Sequence, residues 1–344
     1  MKYSACQTAT TFSSCSWYYE NGVTGLNLIF KQILQAVLLT AILPAMAFSM
    51  VSSGSADHLN LPKKQNDSQL LEIPVVGKDG KIKEMPLEEY VVNVILGEIS
   101  ANFHEEAIKA QAVAARTYTL QCLEAASKHQ NGAVCTDFRC CQAYREPEEY
   151  LKSGGTEREI DKVQKAVQDT ALEVLYHDET LICSTYFASS GGRTEDAVEV
   201  WGKEYPYLKS VESPGEENCG YYSQETSYSP QELQELLDVT LVGKPPSWFG
   251  MVTYTPGGGV DLMRIGGKLY TGVELRSKLG LRSTAFEIIP TDEVILIKTK
   301  GYGHRVGMSQ HGANAMAQQG RDYAEILSHY YIGTTLRQYS KGND

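Results

Sequence analysis

Basic residues are in short supply: 31 Lys and Arg stand against 42 Asp and Glu in 344 residues, a formal charge of −11. Neutralising phosphates takes clustered Lys and Arg, so this balance excludes a general nucleic-acid binder. A GxxxxGK[ST] phosphate loop is missing, and so is a GxSxG serine-nucleophile elbow, which removes two common enzyme classes. Internal repeats and long low-complexity runs are absent too. What is there, 42% hydrophobic and 21% charged residues, is enough to bury a core. The aromatics are skewed, with 8 Phe and 3 Trp beside 21 Tyr. Tyr joins an apolar ring to a hydroxyl, which suits a polar, ring-shaped ligand such as a sugar.

One apolar run sets the expected compartment. Residues 32–51 (QILQAVLLTAILPAMAFSMV) carry no charge over about 20 positions, the length of a membrane-spanning helix. Lys2 and Lys31 precede the run and the next basic residues are Lys63 and Lys64, so the N-terminal tail, residues 1–31, is expected in the cytosol and the bulk outside it. Ala45-Met46-Ala47 offers a rival reading as the cleavage site of a signal peptide; length favours the anchor. Residues 52–69, rich in Ser, Asp, Asn and Lys, read as a flexible spacer, and residues 70–340 as the working domain.

That domain reads as α+β, a helical pair followed by antiparallel hairpins without βαβ regularity. A short hairpin around KDG (70–76 and 81–84) leads to a helix opened by Pro86, with Glu88 and Glu89 in its first turn. An Ala-rich helix is predicted over 104–128, a Cys-rich loop over 129–145 and a third helix over 159–172. LEVLYHDETLICSTYF alternates across a turn like a hairpin. Short helices are expected at 230–238, 272–279 and 322–331, with one opening near Ser309, and strands near 250–255, 260–265, 284–289 and 293–299.

Three features carry chemistry. On the first helix, Leu87, Tyr90, Val91, Val94 and Ile95 form an apolar stripe, and the same face meets Glu98 one turn later. A carboxyl group set among aliphatics holds its proton to a higher pH and can serve as general acid and then base, unless a cation such as Arg116 or Lys109 pairs with it. Gly97 beside it would let a ligand approach the backbone. His129, Cys135, Cys140 and Cys141 provide the Cys₃His complement of a closed, structural zinc site; a disulfide is the rival in an oxidising compartment but leaves one Cys of the cluster over unless Cys122, Cys183 or Cys219 completes the set. Finally, two glycine-rich segments, SSGGRTEDAVEVWG and GYGHRVGMSQHGA, offer Ser189, Ser190, Gly191, Tyr302, His304 and Gln310 as groups that could grip hydroxyls and acetamides. His304 reads equally as a general base or as a loop residue bonded to its neighbours.

Over about 75–338 the sequence resembles the stage II sporulation protein D family of endospore formers. The motifs that carry the likeness are LEEYVVNVILGEISANFHEEAIKAQAVAARTY, CQAY, YFASSGGRTEDAVEVWG and GYGHRVGMSQHGA. The resemblance implies a glycan-binding cleft and a peptidoglycan lytic transglycosylase acting in forespore engulfment. Such an enzyme cuts the MurNAc–GlcNAc β-1,4 bond of peptide-free strands without water and leaves 1,6-anhydro-MurNAc ends. It implies Glu98 of the LGE motif as the catalytic residue, and zinc held by His129, Cys135, Cys140 and Cys141, with Cys140 where His is expected. Arg305 and His311 stand where Gly and Tyr are expected. The partners it implies are peptidoglycan strands, the stage II sporulation protein P amidase and a polytopic engulfment membrane protein. Relatives outside spore formers suggest an alternative, a non-catalytic glycan binder that activates an amidase.

Overall fold

The computed structural model describes residues 71–340, apart from 126–128, 130, 131 and 292. The expected tail, membrane segment and spacer lie outside the described residues; among those described, no helix is long and apolar enough to cross a membrane. The chain is a mixture of helices and small sheets, most of them antiparallel.

Strands β1 (Glu72–Val76) and β2 (Ile82–Pro86) form the expected antiparallel hairpin, and β2 runs straight into α1 (Leu87–Glu98). Pro86 caps that helix without a side-chain bond, its φ of −55° matching the turn. The apolar stripe is buried as read, but Val92, Asn93 and Leu96 are buried as well, so α1 is enclosed on most sides. Helix α2 (Glu105–Glu124) starts where His104 accepts the Glu106 N–H, 3.3 Å away. Its alanines, Ala107, Ala110, Ala112, Ala114 and Ala115, are buried, and their small side chains let α1 and later helices approach its backbone.

Strand β3 (Val134–Cys135) adds to β1 in parallel, which the Cys-rich loop reading did not include. A short α3 (Pro147–Lys152) follows, then α4 (Glu157–Asp169), closed at its start by a Thr156–Glu159 capping box. Helix α4 stops three residues before the expected 172, and Leu172 takes the left-handed conformation with φ 61°. Strands β4 (Glu173–His177) and β5 (Thr180–Leu181) make the predicted hairpin turn. Strand β6 (Tyr186–Phe187) leaves the hairpin and pairs elsewhere.

After α5 (Ala197–Trp201) come β7 (Ser223–Tyr228), α6 (Pro230–Leu237), a turn of 3-10 helix at Pro245–Trp248, β8 (Phe249–Tyr254), β9 (Val260–Ile265), β10 (Lys268–Thr271), α7 (Gly272–Lys278), β11 (Phe286–Pro290) and β12 (Ile295–Lys300). These build a second hydrophobic core around Leu233, Ile265, Leu275 and Ile297. Then β13 (Met308–Ser309), α8 (Gln310–Gln318), α9 (Tyr323–Tyr330) and β14 (Thr335–Gln338) return the chain to the first core, where β13 pairs with β6 in parallel and β14 with β4. The second core is therefore an insertion between two parts of the first.

Candidate functional site

Glu98 is the last residue of α1. A Cβ on Gly97 would lie 2.7 Å from the Tyr144 nitrogen and 2.9 Å from the Ala143 carbonyl carbon, so the bare glycine admits the 142–145 segment, and not a ligand, against the helix end. That approach lets the Ala143 N–H donate to Glu98 Oε1 at 2.7 Å. From the other side Gln310, first residue of α8, brings its Nε2 to 3.5 Å from Oε2. The Tyr186 hydroxyl, whose dipole also acts on Glu98, donates its proton to Gln142 Oε1 at 2.7 Å. Burial raises the Glu98 carboxyl above the ordinary value, against the opposing pull of these donors.

Neither cation named from the sequence pairs with it. Arg116 is fully buried and grips Glu88, with Nη2 2.6 Å from Oε2 and Nε 2.9 Å from Oε1, and Lys109 faces Glu105, Glu106 and Asp169. Among the described residues Glu98 is in no ion pair. A carboxyl held by neutral donors, with its proton bound more tightly than usual, can give up a proton and take one back.

The Cys₃His group ends two residues before Ala143. The ligand atoms of His129, Cys135, Cys140 and Cys141 all fall within 4.8 Å of one another. His129 Nε2 is 3.3 Å from Cys140 Sγ and 3.8 Å from Cys141 Sγ, and the two sulfurs are 3.9 Å apart. Zn–S bonds of about 2.3 Å put tetrahedral sulfurs about 3.8 Å apart, so the set fits a thiophilic cation. Among the described residues no disulfide joins the three cysteines of the cluster. The Cys141 side chain, the largest influence, brings Cys135 down to about 5, which makes it a thiolate near neutrality. Cys141, Gln142 and Ala143 are consecutive; Gln142 is buried and its Nε2 donates to Thr119 Oγ1 at 2.9 Å. The cluster therefore anchors the segment that supplies the hydrogen bond to Glu98.

The glycine-rich segments lie against each other. A Cβ on Gly191, whose φ is 71°, would fall 2.7 Å from the Gly301 nitrogen, and Ser189 and Tyr302 exchange backbone hydrogen bonds of 3.2 and 2.7 Å. Ser189 and Ser190 are wholly buried, and both hydroxyls donate to Glu216, at 2.5 and 2.6 Å. The fold thus corrects the reading of these serines as sugar contacts: they hold a buried carboxylate, and Gly191 serves loop packing. His304 sits between the rings of Phe187 and Trp201, and its Nδ1 accepts the Val306 N–H at 3.1 Å. Burial pushes its imidazole down to about 3, so it is neutral and a weak base, engaged with its loop neighbours.

Gln310 touches Glu98, and Tyr302 belongs to a row of rings the sequence reading missed. Tyr302, Tyr221, His311 and Phe103 follow one another at centroid spacings of 5.5, 5.3 and 5.0 Å, with the Arg282 guanidinium 5.4 Å from Tyr302 and 5.8 Å from Tyr221. Tyr221 is 43% exposed. His311, an inner member of the row, follows Gln310 in the chain. The Tyr surplus was the one signal of such a surface, and it names no position.

Residues 76–177 match a family model described as Stage II sporulation protein. Stage II sporulation protein D of Bacillus amyloliquefaciens is 38% identical over 262 residues, 75% of this chain and 76% of that protein. Its counterpart in Bacillus subtilis (strain 168) is 37% identical over the same length and coverage. The chain belongs to the stage II sporulation protein D family. It is also similar to the amidase enhancer of Bacillus subtilis (strain 168), 30% identical over 305 residues, 72% of this chain and 40% of that protein.

The places where this member departs from the expected family pattern have visible consequences. Cys140 sits within the donor cluster, so its thiol occupies the corner where an imidazole was expected. Arg305 takes a φ of 65°, the region a glycine adopts without strain, and is buried. Its guanidinium donates to the carbonyls of Ser190, Arg193 and Gly257 and pairs with Glu195 Oε1 at 3.1 Å. His311 replaces the expected Tyr within the aromatic row.

Proposed function

We propose that this chain is a peptidoglycan lytic transglycosylase of sporulating cells, cutting peptide-free glycan strands during forespore engulfment. The observation that carries the reading is Glu98, half-buried, without a cation partner among the described residues and held by neutral donors at a helix end. Its proton passes to O4 of GlcNAc as the C1–O4 bond breaks; O6 of the same MurNAc then closes on C1 and returns its proton to the carboxylate. A hydrolase would need a second carboxyl group to direct water or to act as nucleophile. Here the sugar's own hydroxyl is the nucleophile, so one proton-shuttling group suffices. The rings of Tyr221 and Tyr302 would stack on the sugars and align that attack.

His129, Cys135, Cys140 and Cys141 would hold a zinc ion, which with four protein ligands has no open position and serves as a structural clamp. The anchor expected at 32–51 would place the domain outside the cytosol, in the intermembrane space. Its partners there would be the glycan strands, the stage II sporulation protein P amidase that prepares them, and the engulfment membrane protein. The likeness to the amidase enhancer supports a second reading, a glycan-binding activator without bond cleavage. Digestion of peptide-free strands by the wild type and by Glu98→Gln, read by mass spectrometry, decides. Products one water lighter than hydrolysis products, lost in the variant, support the enzyme; strands of unchanged length with the wild type overturn it.

A further inference from the structure

On the face of α1 that begins with Glu88, two adjoining recesses of about 490 and 390 Å³ share Glu89, Asn93 and Pro147 and form one groove between α1, α4 and the start of α3. Carboxylates dominate its charge. Glu88 is neutralised from inside by Arg116, and Glu148 has Lys152 at 3.8 Å, but Glu89 and Glu146 are in no ion pair among the described residues. None of the residues lining either recess is Lys, Arg or His. Glu146, Glu89 and Glu149 act on the Tyr144 phenol, adding to the effect of burial in raising its pKa, which shows the field within the groove.

Asn93 lines both recesses and is only 3% exposed. Its Nδ2 donates to the Tyr144 hydroxyl at 2.9 Å, while its Oδ1 is buried and has no donor among the described residues. A buried amide oxygen without a partner is costly, about 1–3 kcal/mol, and its complement is an N–H group brought from outside. An unpaired acceptor under uncompensated carboxylates selects an ammonium or guanidinium. Gln164 and Gln168 lie along the same recess, where their amides can pair with a peptide backbone. A MurNAc strand, which carries a lactyl carboxylate, would be repelled, so this groove is distinct from the surface proposed for glycan.

We propose that this groove docks an extended, Lys- or Arg-bearing segment of a protein partner, with one cationic side chain seated against Asn93. The assignment does not depend on the chemistry at Glu98. The test is binding of fluorescent pentalysine to the full chain, with pentaglutamate and spermidine as competitors. Glu89→Gln combined with Glu146→Gln should weaken pentalysine binding about tenfold, as loss of two close charges does. Asn93→Asp, which keeps the shape and adds a charge, should tighten it. Equal weakening by the exposed pair Glu235→Gln and Glu287→Gln would reduce the effect to net charge and overturn the site. Spermidine matching pentalysine in affinity would overturn the peptide, leaving a free-amine site. Glu98→Gln should bind as the wild type does even if it cuts nothing, so failure here and failure of the transglycosylase reading are separable.

Discussion

Glu98 is a half-buried carboxyl group whose neighbours supply polarity without charge. Replacement by Gln keeps the shape and removes the transferable proton; cleavage of glycan strands should fall by about 10²–10⁴-fold, the usual worth of a general acid–base group. Because the folded carboxyl titrates above its unfolded value, the stability tied to it is present at low pH and lost as pH rises through the raised value. Glu98→Gln should therefore melt higher than the wild type near neutrality, with the gap closing in acid, as calorimetry across pH would show. The same sign holds for rate: the first step needs the protonated form, so activity falls as pH rises past that value. Gln310→Ala removes a donor that lowers it, so the alkaline limb of the rate profile should move up. Gly97→Ala places a Cβ 2.7 Å from the Tyr144 nitrogen, an overpacking cost of about 1–3 kcal/mol that would also push the Ala143 N–H off the carboxylate.

At the scale of elements, residues 135–143 link the donor cluster to the Glu98 carboxyl group. Chelation should abolish cleavage without unfolding the molecule: amide exchange ought to rise over 134–143 while the second core stays protected. Uniform loss of protection, or none, would refute the clamp. Much of α1 and α2 was legible because a 3.6-residue period, Pro86 and the acidic first turns are local signals. The stripe also pointed to Glu98 as an intruder on it. The parallel pairing of β6 with β13 was not legible, since alternation in a two-residue strand says nothing about a partner more than a hundred positions away. Nor was the fate of Ser189 and Ser190: their hydroxyls suit a sugar as well as they suit Glu216, and only the fold brings Glu216 to them. Serine-to-alanine changes there should leave a buried carboxylate short of donors and cost about 1–3 kcal/mol each in chemical denaturation.

Across the whole molecule, Arg305 and Glu195 tie the two cores. Glu195 also accepts from the Thr255 hydroxyl at 2.8 Å and the Gly259 N–H at 2.9 Å, both in the β8–β9 turn, while Arg305 reaches the Gly257 carbonyl at 2.7 Å. Removing the cation strands a buried carboxylate, at a cost of about 3–5 kcal/mol. Arg305→Gly, which restores the residue expected of the family and relieves the positive φ, should still split a single melting transition into two. Arg305 stood out in the sequence as an unexpected residue, but nothing local told that its partner would be Glu195.

The Glu98 carboxylate and the Gln310 amide meet across 212 positions of chain. The acid is therefore made well before the helix that completes its surroundings. A chain truncated before α8 should lack the Gln310 donor at the Glu98 carboxyl group.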